Sequence, residues 1–282
     1  MAAYGLWGLF PLYWKQLGFV PPGQLLGHRI VWSFLLLLTV MPFGNRGRDL
    51  LQALRRPRLV GIYLGSALLL AINWLTYLWA VQNDHIVEAS LGYFISPLLN
   101  VMLGVVFLHE RLRRWQWIAV GLATLGVLYL TFVYGSLPWI GLVLAAAFGC
   151  YGLVRKIGPL GSIQGLTLEM GTLFVPTLCF MLFAEIQGQG IFLQTGLRAD
   201  LFMVGAGLVT TVPLLLFTAA ARRIPLSLLG IIQYITPTGQ FLLGVLKYGE
   251  DFSRERAIGF ILVWLALAIF AIEGIVSQRR KA

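Results

Sequence analysis

FISPLLNVMLGVVFLHE, residues 94–110, returns as YITPTGQFLLGVLKYGE, residues 234–250. The two passages align without a gap at an offset of 140 residues, with Pro97 on Pro237, Gly104 on Gly244 and Glu110 on Glu250. Leu103, Val105 and Ile118 match Leu243, Val245 and Ile258 in the same register. A proline, then a glycine, then a glutamate at fixed spacing closes two very hydrophobic runs. That pattern marks a duplicated helical bundle in a membrane. Interruptions at corresponding positions of two hydrophobic halves are also a pointer to a transporter binding site.

Composition agrees. The chain is 59% hydrophobic and 11% charged, whereas a soluble domain carries about 25% charged residues. Its 282 residues accommodate about ten helices of roughly 20 residues, each able to cross a hydrocarbon core of ~30 Å. The net charge of +10 could suggest nucleic acid, but its distribution points to membrane topology. With a cytoplasmic N-terminus, 15 of the 21 basic residues fall in inner segments, as the positive-inside rule requires. Lys15, Arg29, Arg198, Lys247, Arg254 and Arg256 remain outside these segments. Cys150 and Cys179 lie in apolar runs and offer neither a disulfide framework nor a metal spacing. No nucleotide motif or other cofactor signature is present, and the N-terminus lacks the basic start and cleavage site of a removable signal peptide.

The apolar runs are 1–18, 24–43, 60–81, 87–108, 115–133, 137–154, 163–184, 200–221, 226–248 and 257–276. Each reads as a helix, because lipid demands that every backbone group be satisfied internally, and none shows the alternation of a barrel strand. The Arg-rich segment 44–58 reads as an interfacial helix with Leu50, Leu51 and Leu54 on its apolar face. The Gly- and Gln-rich segment 185–199 reads as a flexible outer loop. The repeat also reaches the start of each half: Ala2, Ala3, Gly5, Gly8 and Leu9 match Ala146, Ala147, Gly149, Gly152 and Leu153. The second copy has a further apolar stretch, 137–145, before this point. From Met1 to Trp14 is about 21 Å of helix, so the expectation is that the first helix is truncated by about nine residues relative to its counterpart. The resulting division is a first repeat over 1–133, a second over 137–276 and a basic cytoplasmic tail over 277–282. Five helices per half is an odd number, so the fold expected is all-α, with ten transmembrane helices in two inverted repeats and both termini cytoplasmic.

HRIVWS (28–33), NW (73–74), EASLGYFISPLLNV (88–101), RWQWIAV (114–120), YGLVRK (151–156), TTVPLL (210–215) and QYITPT (233–238) resemble the RarD-type branch of the EamA family, within the drug/metabolite transporter superfamily. The resemblance covers essentially the whole chain. It implies ten helices in two EamA repeats, an inner-membrane location and transport of a small solute.

Ionisable and polar residues inside lipid are expensive, so the few present are candidates for a solute site. Glu169 lies alone in its helix and suits a proton carrier or a ligand for a substrate amine; the structural alternative is an ion pair with Arg29. Arg29 offers a planar fork to a carboxylate, and His28 titrates near neutrality. Asn73, Trp74, Tyr77, Glu88 and Tyr93 cluster at the outer ends of the third and fourth helices, and Tyr93, Ser96 and Asn100 share a face of the fourth. Gln233, Tyr234 and Gln240 are their counterparts in the second half. Trp7, Trp14, Trp74 and Trp79 are candidates for an aromatic cavity wall. Pro97 and Pro237 each remove a backbone donor and permit a bend beside these positions. Glu110 and Glu250 end helices, where a carboxylate opposes the dipole, so each is expected to pair with a neighbouring arginine. Gly61 and Gly65 read as a close helix contact, and helices five and ten as braces of their own halves.

The functional reading is a secondary transporter of a small organic solute with a cavity between helices one to four and six to nine. Its partners would be the solute, the bilayer and protons as a coupling ion, with no nucleic acid and a monomeric or homodimeric state. A membrane-embedded lipid-modifying enzyme would need clustered nucleophiles or a metal site. A non-transporting sensor or assembly factor would not need polar residues repeated in both halves.

Overall fold

Helix follows from the sequence wherever apolar runs exceed the hydrocarbon thickness. The computed structural model of the chain describes residues 1–42, 46–83, 85–135, 138–248 and 254–279. In chain order the helices are α1 (Ala2–Gly8), α2 (Phe10–Trp14), α3 (Pro22–Val40), α4 (Arg46–Leu54), α5 (Pro57–Gln82), α6 (Ile86–Leu108) and α7 (Arg114–Tyr134). The second half contributes α8 (Trp139–Ile157), α9 (Ser162–Ile186), α10 (Leu197–Ala221), α11 (Leu226–Gln233), α12 (Ile235–Tyr248) and α13 (Arg254–Arg279). Among the described residues, nine spans are long and apolar enough to cross a membrane, with α11 and α12 forming one of them. The pair α1 and α2 occupies the place of the remaining helix. The chain is therefore a multi-pass integral membrane protein with the ten-helix layout that the hydropathy predicts.

The two halves interdigitate. Helix α6 packs on α8 and α11, α3 on α9 and α10, α5 on α8 and α9, and α1 on α10 and α12. Helices α7 and α13 pack on each other through Ala119, Ala123, Val127, Phe260, Val263 and Ala266. The outer helices thus join the halves, where the sequence reading has each bracing its own. Tight crossings use glycine: a Cβ added to Gly8 would meet the Cα of Gly239 at 3.4 Å, bringing α1 against α12. Gly61 and Gly65 make no such crossing, since nothing lies within 4 Å of an added Cβ at either. The Gly-x3-Gly spacing therefore faces outward within this chain.

The motif that opens the sequence has a structural cause in its first copy. Helix α6 ends at His109 in a left-handed conformation (φ 53°), and Glu110 folds back over Gly104. A Cβ on Gly104 would come within 2.6 Å of the Glu110 carboxylate, so only glycine leaves room. The carboxylate accepts hydrogen bonds from the Leu226 N–H (2.6 Å), the Ser227 N–H (2.8 Å) and the Ser227 hydroxyl (2.6 Å). It caps α11, whose first N–H groups have no partner of their own. The expected pairing with an adjacent arginine is replaced by this cap and by Lys156 at 3.9 Å. Glu250 lies outside the described residues. The prolines differ too: α6 runs through Pro97, whereas the second copy breaks at Tyr234, three residues before Pro237.

At the end of the bundle holding Glu110, basic side chains close on helix termini. Lys156 Nζ donates to the carbonyls of Ala221 (3.2 Å) and Ile224 (2.6 Å), and Arg222 donates to those of Gly158 and Leu160. Cations there complement the negative end of a helix dipole. Helix α4 joins this end through Asp49, which accepts from Gln164, and it turns Leu51 and Leu54 outward. At the opposite end the 185–199 segment is tethered. Gln24 donates to the Gln189 carbonyl and accepts from the Ile191 N–H, while Asp200 accepts from the Leu193 N–H.

Candidate solute cavity

A cavity of about 460 Å³ lies between the halves. Its wall takes Trp7 from α1, Phe10 and Trp14 from α2, Arg29 from α3, and Asn73, Trp74 and Tyr77 from α5. Helix α6 adds Gly92, Tyr93 and Ser96, α8 adds Leu144 and Phe148, and α10 adds Thr210 and Leu214. Gln233 of α11 and Thr236 and Gln240 of α12 complete it, with Lys15 and Gly18 toward the end opposite Glu110. Helix α9 contributes nothing to this wall. The sequence places the cavity among eight helices; seven of those eight line it.

The walls are shaped by specific bonds. Arg29 Nε donates to Thr210 Oγ1 at 3.1 Å, and its guanidinium carbon lies 4.7 Å from the Trp74 ring and 5.1 Å from the Trp14 ring. Such cation–π contacts hold the group in place. Asn73 donates to the Leu144 carbonyl at 2.9 Å, fixing α5 to α8. Asn100 is fully buried behind the wall and donates to Gln233 Oε1 at 2.7 Å, so it positions a lining residue from the other half. Pro11 has no N–H to give the Trp7 carbonyl, its i−4 acceptor. Gln240 Nε2 supplies a donor to that carbonyl at 3.3 Å. Trp7, Phe148 and Phe217 pack edge-on or tilted at ring separations of 5.0–5.7 Å and form an aromatic floor.

Ten of the sequence candidates thus meet at the cavity: Trp7, Trp14, Arg29, Asn73, Trp74, Tyr77, Tyr93, Ser96, Gln233 and Gln240. The others lie elsewhere. Tyr234 is buried and donates to the Phe94 carbonyl. His28 accepts from Trp32 Nε1 at 3.1 Å and packs on Phe192. The side chain of Glu88 lies outside the described residues. Trp79 stacks on His85, away from the cavity.

Glu169 is below the aromatic floor and fully buried. Its carboxylate accepts from Ser66 (2.6 Å), Tyr151 (3.3 Å) and Arg155 (3.4 Å). Its ionic partner is Arg155 and not Arg29. Arg155 reads in the sequence as an inner-loop topology charge. In the structure it turns inward, is 1% exposed, and also donates to the Ser162 carbonyl.

Comparison with known proteins places this architecture. The model of the EamA-like transporter family matches residues 1–132 and again 137–272. The chain belongs to this family. The two matches are the two repeats, and the break between them falls where α7 gives way to α8. Among relatives matched over nearly their whole length, Protein RarD of Escherichia coli is 44% identical, covering 100% of this chain and 95% of that protein. Protein RarD of Streptomyces exfoliatus is 44% identical over 99% of this chain and 89% of its own length. An uncharacterized transporter of Vibrio cholerae is 45% identical over 98% and 91%. A solved crystal structure superimposes with a TM-score of 0.71 at 21% identity, covering 95% of this chain and 94% of the other, which shows the shared fold.

Within the EamA repeat, the cavity residues that the sequence reading leaves out are instructive. Thr236 is the counterpart of Ser96 at the same 140-residue offset, and both line the wall. The offset alone could have found it. Thr210 lies in the TTVPLL motif, but nothing in that motif tells which threonine faces Arg29. That depends on the rotation of α10 against α3.

Proposed function

We propose that this EamA protein is a secondary-active transporter that moves a small organic solute, such as an amino acid, metabolite or drug, by alternating access at the central cavity. One observation carries the reading. Two pairs of residues related by the repeat, Tyr93 with Gln233 and Ser96 with Thr236, line the same cavity from opposite halves. A site on the axis between inverted repeats can be presented to either side by rocking one half on the other. Polar contacts of Glu110, Lys156 and Arg222 close the basic end, and the break at Tyr234 ahead of Pro237 supplies a hinge in the second copy. Pro97 serves the first copy as a bend within a continuous helix. The location is the bacterial inner membrane, the coupling ion is the proton, and the working unit is a monomer or homodimer.

Purified protein in liposomes tests this reading. Solute flux driven by a pH gradient is expected; lipid turnover without flux would favour an enzyme instead. Ser96→Phe fills the cavity from its wall and is expected to cut flux by roughly tenfold or more, equivalent to about 1.4 kcal/mol of lost site occupancy. Its melting temperature should stay near wild type. Undiminished flux through that variant would remove the cavity from the transport path.

Both termini are cytoplasmic in this reading, and 44–58 and 222–225 face inward while 185–199 faces out. Gln189 is exposed and uses only its backbone carbonyl in the tether to Gln24. Gln189→Cys in a background lacking Cys150 and Cys179 should therefore react with an impermeant thiol reagent added outside intact cells. Labelling only from the cytoplasmic side would invert the topology.

A further inference from the structure

We infer that the cavity takes an organic monoanion: a planar, apolar body bearing one carboxylate, held by Arg29. The inference rests on reading the cavity as the solute site, and it names the class of solute.

Charge comes first. Among the described residues, the cavity wall carries two cations, Lys15 and Arg29, and no carboxylate. The buried Glu169 belongs to a separate network and is already held by Arg155. An ammonium group entering the cavity would face Arg29 with no opposite charge to receive it. A carboxylate would find its counter-ion in place.

Geometry narrows the class. Thr210 occupies only Nε of Arg29, and Trp14 and Trp74 flank the guanidinium. Among the described residues, the two η nitrogens have no protein acceptor at hydrogen-bonding distance and no carboxylate at ion-pairing distance. Four N–H donors in a fixed plane therefore await a ligand. That fork matches the two oxygens of a carboxylate, and such charge-assisted, bidentate pairs are among the strong hydrogen bonds. The aromatic clamp restrains the group before the ligand arrives, so less ordering is lost on binding.

The remaining wall selects the body. Trp7, Phe10, Trp14 and Phe148 line a space of about 460 Å³ with aromatic surface. That volume suits a drug-sized molecule and far exceeds a bare inorganic anion. Asn73 and Gln240 supply neutral polar edges for orientation. Lys15 lies at the far side with its ammonium 3.1 Å from the centre of the Tyr248 ring, adding a second positive centre that attracts anions toward the site.

A series on one ring system separates charge from shape: indole-3-acetate and its isostere indole-3-acetamide, with tryptamine and tryptophan beside them. Thermal stabilisation of the purified full chain reads binding by mass action. Indole-3-acetate is expected to bind roughly tenfold or more tightly than the amide or the amine, the gain of a charge-assisted pair over a neutral one. Arg29→Gln should bring the acetate and the amide to the same affinity. Thr210→Val frees Nε, keeps the charge, and should weaken the acetate alone. Equal binding of acetate and amide, tighter binding of tryptamine or tryptophan, or no shift with any of the four would overturn the assignment. Proteoliposome uptake of the same compounds keeps the two readings apart. Charge-dependent binding without flux refutes transport and leaves the anion site standing. Flux of tryptamine that ignores Arg29→Gln refutes the anion site and leaves transport standing.

Discussion

Glu169→Gln is expected to destabilise the protein by about 3–5 kcal/mol, the usual cost of removing one partner from a buried ion pair. Gln keeps the size of the side chain and can still accept from Ser66. It cannot balance Arg155, which is buried against the ring of Tyr63 with its guanidinium carbon 5.4 Å from the ring centre. The carbonyls of Gly161 and Ser162 solvate that charge only in part, at 3.5 and 3.1 Å. The double change Glu169→Gln with Arg155→Gln removes both charges and should recover much of the loss. Pairing the first change with Arg29→Gln should recover nothing, because Arg29 bonds Thr210 on the other side of the aromatic floor. Melting temperatures of these variants in detergent, together with equilibrium unfolding in mixed micelles, decide the matter. Rescue through Arg29 and not Arg155, or a single variant as stable as wild type, would refute the pairing.

Gly207→Ala is the second large effect. An added Cβ would lie 2.5 Å from the carbonyl carbon of Trp32 and 2.7 Å from the nitrogen of Ser33. Those are backbone atoms of α3 and cannot swing aside as a side chain tip would. Ser33 also donates to the Gly207 carbonyl at 3.1 Å, which holds the two helices together at this point. Forcing them apart is expected to cost about 3 kcal/mol, the upper range for overpacking. Thr210 lies one turn along α10 and Arg29 one turn along α3, so flux should fall as well. Gly61→Ala and Gly65→Ala are the controls. Nothing lies near an added Cβ at either position, and alanine is favoured over glycine in a helix by about 1 kcal/mol. Their melting temperatures should hold or rise. A Gly207→Ala protein that melts like these controls would show that α3 and α10 can separate freely.

The spans were legible because hydropathy is a local quantity. A run such as Leu226–Tyr248 declares itself without reference to any other part of the chain, and α4 declares itself as an amphipathic interruption. The repeat was legible because a duplication writes the same restrictions twice. Gly104 and Glu110 recur at a fixed spacing in Gly244 and Glu250, and in the first copy the carboxylate has to fold over the glycine to reach α11. Pairings were not legible. Arg155 and Arg222 look alike in a charge count. One is buried against Glu169, while the other reaches across the surface of the basic end to two carbonyls. Gly61 and Gly65 have the spacing of a helix contact, yet they meet nothing within the chain.

The sequence by itself determined that this is a duplicated, all-helical membrane protein, roughly where its apolar spans run, and many of the polar residues that must be accounted for inside it. The tertiary structure alone decided which of those residues share a cavity and which are sealed below its floor. The reason is physical. Lipid sorts residues by depth along a helix, and depth can be read from the chain one segment at a time. Partners are chosen by the rotation of each helix about its axis, and that is set by packing between segments far apart in sequence: Gly207 against Trp32, Gly230 against Pro97, Gly8 against Gly239.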